Sequence, residues 1–111
     1  MIPVIIESPF AGDVENNIRY AKLCVRDCLA RGESPYASHL FFTQAGILDD
    51  TNPSERKLGM EAGFLWARFA HKIAVYTDLG VSSGMLAGIA RHSALGIPVE
   101  FRTLDNWRLL L

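Results

Sequence analysis

Short apolar runs and longer amphipathic segments alternate along the 111 residues of the chain. Residues 2–7 (IPVIIE) and 72–77 (KIAVYT) are nearly continuous apolar runs, a pattern typical of strands buried on both faces of a parallel sheet. Two weaker runs, residues 34–37 (SPYA) and 98–102 (PVEFR), predict two further short strands. The pattern therefore predicts about four strands, with the two strongest runs side by side in the centre of the sheet.

The first predicted helix begins after Asp13, whose side chain can accept hydrogen bonds from the free N–H groups of the first turn. Its apolar residues repeat by threes and fours as far as Gly32, which suits the position just after a helix. The positions expected to form its buried face are 14, 18, 21, 25, 28 and 29. Farther along, residues 38–50 are compatible with either a short helix or a packed loop.

A second long helix is predicted over residues 53–71, where a proline at the first helical position follows an asparagine cap. A third begins at Ser82 or Ser83 and ends at Gly96. Since strands alternate with helices, we expect right-handed crossovers between parallel strands. The sequence thus predicts one α/β domain over residues 1–111, a doubly wound parallel sheet with helices on both faces.

Composition narrows the classes of partner. Eleven Lys and Arg against twelve Asp and Glu give a net charge of −1, which argues against nonspecific nucleic-acid binding. The opening MIPVIIESPF lacks the basic start of a signal peptide, and no apolar run reaches the length of a membrane helix, so we expect a cytoplasmic protein without a membrane partner. Cys24 and Cys28 are interpreted as buried packing residues. No motif has metal-site spacing, and neither a metal nor a cofactor is expected.

The predicted topology also places a ligand site. In doubly wound sheets a ligand lies beyond the carboxyl ends of the strands, where the strand order reverses. The loops expected to meet there are residues 8–13 and residues 78–84, each with a glycine, hydroxyl groups and a following helix N-terminus. Asp78 is the carboxylate best placed in this crevice, although a loop aspartate can equally well cap local N–H groups.

Four segments carry a family resemblance. They are ESPFAGDVENNIRYA, PYASHLFFTQ, NPSERKLGMEAG and YTDLGVSSGM, the last followed by ALGIPV. In this order they resemble the nucleoside 2-deoxyribosyltransferase-like superfamily, and in particular its small branch frequent in phages and prophages. The resemblance implies a flavodoxin-like sheet, a homo-oligomer in which one subunit completes its neighbour's pocket, and nucleosides, nucleotides or related N-ribosides as ligands. It also implies a protein encoded by a phage in a bacterial host.

The resemblance points to one departure from the superfamily pattern. Active members carry a glutamate on the helix after a Ser-Gly corner, and this glutamate attacks the anomeric carbon. An ungapped match of SSGMLAGIARHSALGIPV to that pattern puts Gly88 at the glutamate position. A carboxylate can stabilise or trap an oxocarbenium-like carbon, and glycine cannot. The acids considered as substitutes are Asp78, which is preferred, Glu7, which can equally be a pocket residue or a plain charge at a strand end, and Glu61, which suits a solvated or subunit-facing helix position.

The candidate binding residues come from the two loops and from polar positions near them. They are Ser8, Pro9, Phe10, Gly12, Arg19, His39, Arg56, Asp78, Gly80, Ser82, Ser83, Gly84 and Met85. The serines can hydrogen-bond a sugar or phosphate, but Ser83 also suits a helix cap. Arg19 and Arg56 resemble positions where the phage branch also has arginine, and each can bind a phosphate or form a surface ion pair with Glu15 or Glu55. His39 can line the pocket or serve a structural role.

These observations predict a protein that binds a nucleoside, nucleotide or related N-riboside and has weak or lost glycosyl transfer. One alternative is an active deoxyribosyltransferase or N-glycosidase that uses another acid such as Asp78, and another is a structural or interaction module. Gly59 and Gly63 form a smooth row on the second long helix, which fits either a subunit contact or a contact with the sheet. Together with the terminal leucines, this row predicts a homo-oligomer.

Overall fold

The computed structural model describes residues 1–105 and 107 of the chain. In chain order its elements are β1 (Ile2–Glu7), α1 (Val14–Ala30), β2 (Glu33–Tyr36), a short 3₁₀ helix (Ser38–Leu40), α2 (Pro53–Ala67), β3 (Lys72–Tyr76), α3 (Ser83–Ala94) and β4 (Val99–Arg102). The four strands form one parallel sheet in the order β2-β1-β3-β4. The terminal leucines lie outside the described residues.

The predicted centre of the sheet is confirmed, because β1 and β3 pair with each other and β2 and β4 are the edges. Side chains of β1 alternate between the two faces. Val4 and Ile6 pack in a core with residues of α1, whereas Ile5 packs on the other side with Met85 of α3. With this period of two, position 7 points to the same side as position 5. Glu7 therefore faces α3.

The buried face of α1 differs from the prediction. Its buried residues are Asn17, Tyr20, Ala21, Cys24 and Cys28, whereas Val14 and Leu29 are exposed. The helix is rotated because Asn17 binds back to the preceding loop and Tyr20 reaches the end of β3, so two polar side chains occupy inward positions. The helix ends were predicted correctly: Asp13 caps the start, and Gly32 has a positive φ of 78°.

Helix α2 ends four residues before the predicted limit. The turn after Ala67 closes with bonds of the i to i−3 type, and the backbone N–H of His71 donates to Pro3 of β1 at 2.9 Å. The helix therefore ends before its helical sequence pattern does, because the chain pairs with β1 from His71 onward. The row of small residues on α2 contacts the same chain: a Cβ at Gly59 would lie 3.2 Å from Leu48 Cδ1. The row packs against residues 38–48 of the same chain, so its interpretations as a subunit contact and as a sheet contact are both wrong.

A buried ion pair ties the two edge strands to the centre. Arg102 of β4 donates to both carboxylate oxygens of Glu33 of β2, at 2.7 and 2.6 Å, and to Tyr76 Oη at 3.2 Å. Lys72 of β3 adds a contact to Glu33 at 3.1 Å. The guanidinium and the ammonium lower the pKa of Glu33, with the Arg102 hydrogen bonds as the largest cause.

Candidate functional site

A pocket of about 120 Å³ opens at the carboxyl edge of the sheet, beside β1 and between α2 and α3. It lies at the point where strand order reverses between β1 and β3, the position expected for a ligand in this topology. Its walls come from both halves of the chain. The lining residues are Ile5, Glu7, Phe10, Ala11, Tyr36, Ser38, His39, Asp50, Arg56, Met60, Gly63, Phe64, Ser82, Ser83, Gly84, Met85, Gly88 and His92.

The two loops that form part of the wall are held by side chains of the protein itself. Asn17 donates to the carbonyls of Phe10 and Ala11 at 2.8 and 3.2 Å, which fixes the loop after β1. Ser82 caps α3, and its hydroxyl accepts from the N–H of Met85 at 3.2 Å. The sequence predicted that either Ser82 or Ser83 caps this helix, and in the structure the cap is Ser82.

Glu7 is a largely buried acid of the pocket wall. Its side chain is only 14% exposed, and the nearest ionisable group among the described ion pairs is His92, whose Nδ1 lies 3.8 Å from Glu7 Oε1. Burial raises the pKa of Glu7 from 4.5 to about 8. A carboxyl group in this setting gives up its proton only near the upper end of the physiological range.

Gly88 of α3 lies directly beneath that carboxyl group. A Cβ atom built at position 88 would stand 2.5 Å from Glu7 Oε1 and 2.9 Å from its Cδ. Real Cβ contacts do not approach so closely, so the Glu7 carboxyl group occupies the space that any side chain at position 88 would need. The Glu7 carboxyl group can occupy this place only because residue 88 is a glycine.

Two buried polar atoms on the pocket wall have no hydrogen-bond partner in the described part of the chain: His92 Nδ1 and Tyr36 Oη. Burial lowers the pKa of His92, with the charge of Arg91 as a smaller cause, so the ring is neutral at pH 7. Since buried polar groups are almost always hydrogen-bonded in folded proteins, both atoms are candidates to bind a ligand.

An arginine and a pair of stacked rings complete the wall. Arg56 of α2 is exposed and reaches the start of α3, where its Nη2 would lie 3.7 Å from a Cβ at Gly84. The rings of Phe10 and His39 stack with centroids 5.0 Å apart at an angle of 19°. Burial lowers the pKa of His39. The pocket therefore has a cationic rim beside a helix N-terminus and an aromatic wall.

The structure brings together about half of the predicted binding residues. Those that line the pocket are Phe10, His39, Arg56, Ser82, Ser83, Gly84 and Met85, and those that do not are Ser8, Pro9, Gly12, Arg19, Asp78 and Gly80. The Arg19 side chain pairs with Glu15 at 3.2 Å on the surface of α1, which is the alternative that the sequence left open.

Asp78, the predicted reacting acid, is turned away from the pocket. Its carboxylate accepts hydrogen bonds from Tyr20 Oη and, at 2.9 Å, from the backbone N–H of Leu104. These bonds join the end of β3 to α1 and to the segment after β4. The contacts of Asp78 are thus those of a loop carboxylate that binds local donors, and its placement does not support a role in the reaction.

Sequence reasoning missed several polar residues of the pocket, above all Tyr36, Asp50 and His92. Tyr36 ends β2, and the carboxyl end of a strand next to β1 was a usable signal for it. His92 gave no local signal, because its approach to Glu7 depends on how α3 crosses the sheet. Among the described residues no group of His, Cys, Asp and Glu is arranged to hold a metal ion.

The fold and the pocket define a class: a flavodoxin-like α/β domain with a pocket at the carboxyl edge of its sheet. The chain is similar in structure to a 2-deoxyribosyltransferase of the psychrotolerant bacterium Bacillus psychrosaccharolyticus, with a TM-score of 0.64 and 15% identity over 96% of this chain and 79% of that one. It is also similar to a 2-deoxyribosyltransferase of Leishmania mexicana, with a TM-score of 0.65 and 11% identity over 95% of this chain and 66% of that one.

At such identities the likeness shows the fold, and the expected flavodoxin-like architecture of deoxyribosyltransferases is confirmed. No curated protein matches the chain. The model of one family matches residues 2–102, and the chain belongs to that family, DUF7768, a domain of unknown function.

Within the described residues, no helix is both long and apolar enough to cross a membrane.

Proposed function

We propose that the protein binds a nucleoside, nucleotide or related N-riboside in the pocket at the carboxyl edge of β1 and β3. The observation that carries this proposal is the pair of unpartnered buried atoms, His92 Nδ1 and Tyr36 Oη, in a pocket at the topological switch point. The similarity in fold to two 2-deoxyribosyltransferases supports the same ligand class.

The chemistry of the wall suits the parts of such a ligand. Phe10, Met60 and Phe64 offer an apolar and aromatic surface to a flat base. Glu7, His92 and Tyr36 offer hydrogen-bonding groups to the hydroxyls of a sugar. A pocket with apolar walls and a few convergent polar groups is typical of small-molecule sites.

Arg56 extends the proposal to a phosphate. Its guanidinium lies beside the first turn of α3, whose free N–H groups attract anions. No carboxylate pairs with it within 4 Å in the described part of the chain. A nucleoside 5′-monophosphate would therefore gain a charged contact at the rim that a nucleoside lacks.

The test is a binding panel. Deoxynucleosides, ribonucleosides, their 5′-monophosphates and ADP-ribose are added in a thermal-shift assay, and those that raise the unfolding temperature are titrated by calorimetry. The variant Arg56→Gln is expected to weaken nucleotide binding by about tenfold or more and nucleoside binding little, because a charge-assisted hydrogen bond contributes about 1.5–3 kcal/mol. Lys57→Gln, an exposed neighbour outside the pocket lining, is the matched control. The absence of binding by every compound would refute the proposal.

Association of subunits is part of the same proposal. Leu58, Leu65, Trp66 and Phe69 are exposed on the outer side of α2 and just after it, with Trp66 and Phe69 at 59% and 69%. Contiguous exposed apolar side chains of this kind mark interaction surfaces. We propose a homo-oligomer through this outer face. An origin in a phage or prophage, which the sequence resemblance implies, remains a prediction.

A further inference from the structure

We propose that the pocket breaks an N-glycosidic bond and that Glu7 of β1 is the carboxylate that attacks the anomeric carbon, in the space left open by Gly88 of α3. The inference rests on the proposed function, since it needs an N-riboside in the pocket. It reverses the expectation drawn from Gly88 alone, that the reacting carboxylate is lost.

The geometry carries the inference. The side chains of β1 alternate between its two faces, and Glu7 is on the face that packs against α3. A Cβ atom built at position 88 of α3 would lie 2.5 Å from Glu7 Oε1, so the Glu7 carboxyl group fills the space beside Gly88. A glutamate on the helix and a glutamate on the strand would therefore compete for the same volume. The chain holds one carboxyl group there, and it comes from the strand.

The surroundings of Glu7 fit a reacting group better than a structural one. A buried carboxylate that stabilises a fold is normally paired, as Glu33 is with Arg102. Glu7 is nearly as buried but has no comparable partner in the described part of the chain, and its closest ionisable neighbour is a neutral histidine. It lines the pocket of about 120 Å³ at the carboxyl edge of the sheet. An unpaired acid in a cleft is a common mark of an active site.

The proposed reaction balances without a further reagent except water. An oxygen of the ionised Glu7 carboxylate forms a bond to C1′ as the bond from C1′ to the base nitrogen breaks, and that electron pair leaves with the base, which takes a proton from water. Water then adds to C1′ and releases the carboxylate, and the proton it loses replaces the one taken up by the base. The net change is hydrolysis to free base and sugar.

The required protonation state gives a signature in the pH dependence. Ionised Glu7 is the active form, so kcat/KM should rise about tenfold per pH unit below the pKa of about 8 and level off above it. The titratable groups that share the pocket are His92 from α3, Tyr36 from β2, His39 from the 3₁₀ helix, Arg56 from α2 and Asp50 from the loop before it. Burial lowers the pKa of both histidines, which moves their titration away from pH 8.

The decisive experiment compares the wild type with Glu7→Gln. Each is incubated with the panel of deoxynucleosides and 5′-monophosphates, free base is measured by chromatography, and affinity is measured separately by calorimetry. We expect Glu7→Gln to lower kcat by at least about 100-fold while the dissociation constant changes less than about threefold. Glu61→Gln makes the same chemical change at an exposed position of α2 and should match the wild type.

The outcomes separate the two proposals. A wild-type protein that binds an N-riboside and releases no base would overturn the role of Glu7 and leave the binding function standing. Full turnover by Glu7→Gln, or a kcat/KM that falls through pH 8, would also overturn it. If nothing binds, the binding function fails and the inference fails with it.

Gly88→Ala tests the position of the carboxyl group with Glu7 still present. The added methyl group would force the Glu7 carboxyl group to move, because the two cannot share the space. We expect base release to fall by at least about tenfold, since catalysis is sensitive to displacements of about 1 Å. Activity equal to that of the wild type would overturn the placement of the reacting carboxyl group beside Gly88.

Discussion

Replacement of Glu7 by glutamine should stabilise the protein, and increasingly so as the pH rises. Burial raises the pKa of the carboxyl group from 4.5 to about 8, so the folded protein holds a proton that the unfolded chain has already lost. The protonated form is the one that suits the fold. The stability of the wild type is therefore fully present below about pH 4.5 and declines as the pH rises through about 8.

The pKa difference gives the size of the effect. For a single group titrating at 4.5 in the unfolded chain and about 8 in the folded protein, the linkage relation gives a destabilisation of about 2 kcal/mol at pH 6 and about 4 kcal/mol at pH 8 as an upper bound. Glutamine has nearly the same shape and no charge at any of these values. The difference between Glu7→Gln and the wild type should therefore be near zero at pH 4 and largest at pH 8 and above.

Urea unfolding at pH 4, 6, 7 and 8 would measure this difference, and Glu61→Gln again controls for the loss of one charge. Other titrating groups, such as Glu33 with its lowered pKa, act on all three proteins alike and cancel from the comparison. A difference that stays constant from pH 4 to pH 8 would refute the assignment of a buried, unpaired carboxyl group. Combined with loss of turnover, the predicted gain would mean that Glu7 costs stability and is kept for function.

Three further predictions concern other parts of the chain. Asp78→Asn should cost about 1–3 kcal/mol of stability in urea unfolding, because the Tyr20 and Leu104 donors lose a charged acceptor. Calorimetry should show that its ligand affinity is unchanged, and a lower affinity would mean that Asp78 contacts the ligand. Glu33→Gln should cost up to about 3–5 kcal/mol, because the buried Arg102 loses its bidentate carboxylate and keeps only the half-exposed Glu100 at 3.2 Å, and a loss below about 1 kcal/mol would contradict the strength of that pair. Light scattering at micromolar concentrations should show an oligomer for the wild type and a monomer for the double variant Trp66→Ser, Phe69→Ser, and a monomeric wild type would exclude this interface.

Most of the fold followed from the sequence, because the signals for it are local. The apolar runs at residues 2–7 and 72–77 coincide within one residue with β1 and β3, since central parallel strands are buried on both faces and need apolar residues at nearly every position. The cap at Asp13 and the turn at Gly32 were predicted because each is set by the chemistry of a few adjacent residues, and the start of α3 was predicted to within one residue for the same reason.

The buried face of α1 could not be predicted from such local signals. Its apolar residues occur on more than one side, and the face that is buried depends on long-range bonds from Asn17 to the loop after β1 and from Tyr20 to Asp78. Likewise, the row of small residues on α2 indicated a close approach, but only the folded chain shows that residues 38–48 make it. Both cases involve partners distant in sequence, whose positions no local pattern contains.

For the candidate site too, local signals gave the position, and the tertiary structure gave the side chains that face it. The sequence by itself determined where the site would be, because parallel strands that alternate with helices place their carboxyl ends, and the loops that follow, at one edge of the sheet. It also determined that position 88 has no side chain. Only the tertiary structure decided which acid faces the pocket: the crossing of α3 over β1 brings Gly88 against Glu7, while the bonds to Tyr20 and Leu104 turn Asp78 away. Side-chain direction at a loop or a strand end depends on the partners that packing brings near, and those partners are set by the whole fold.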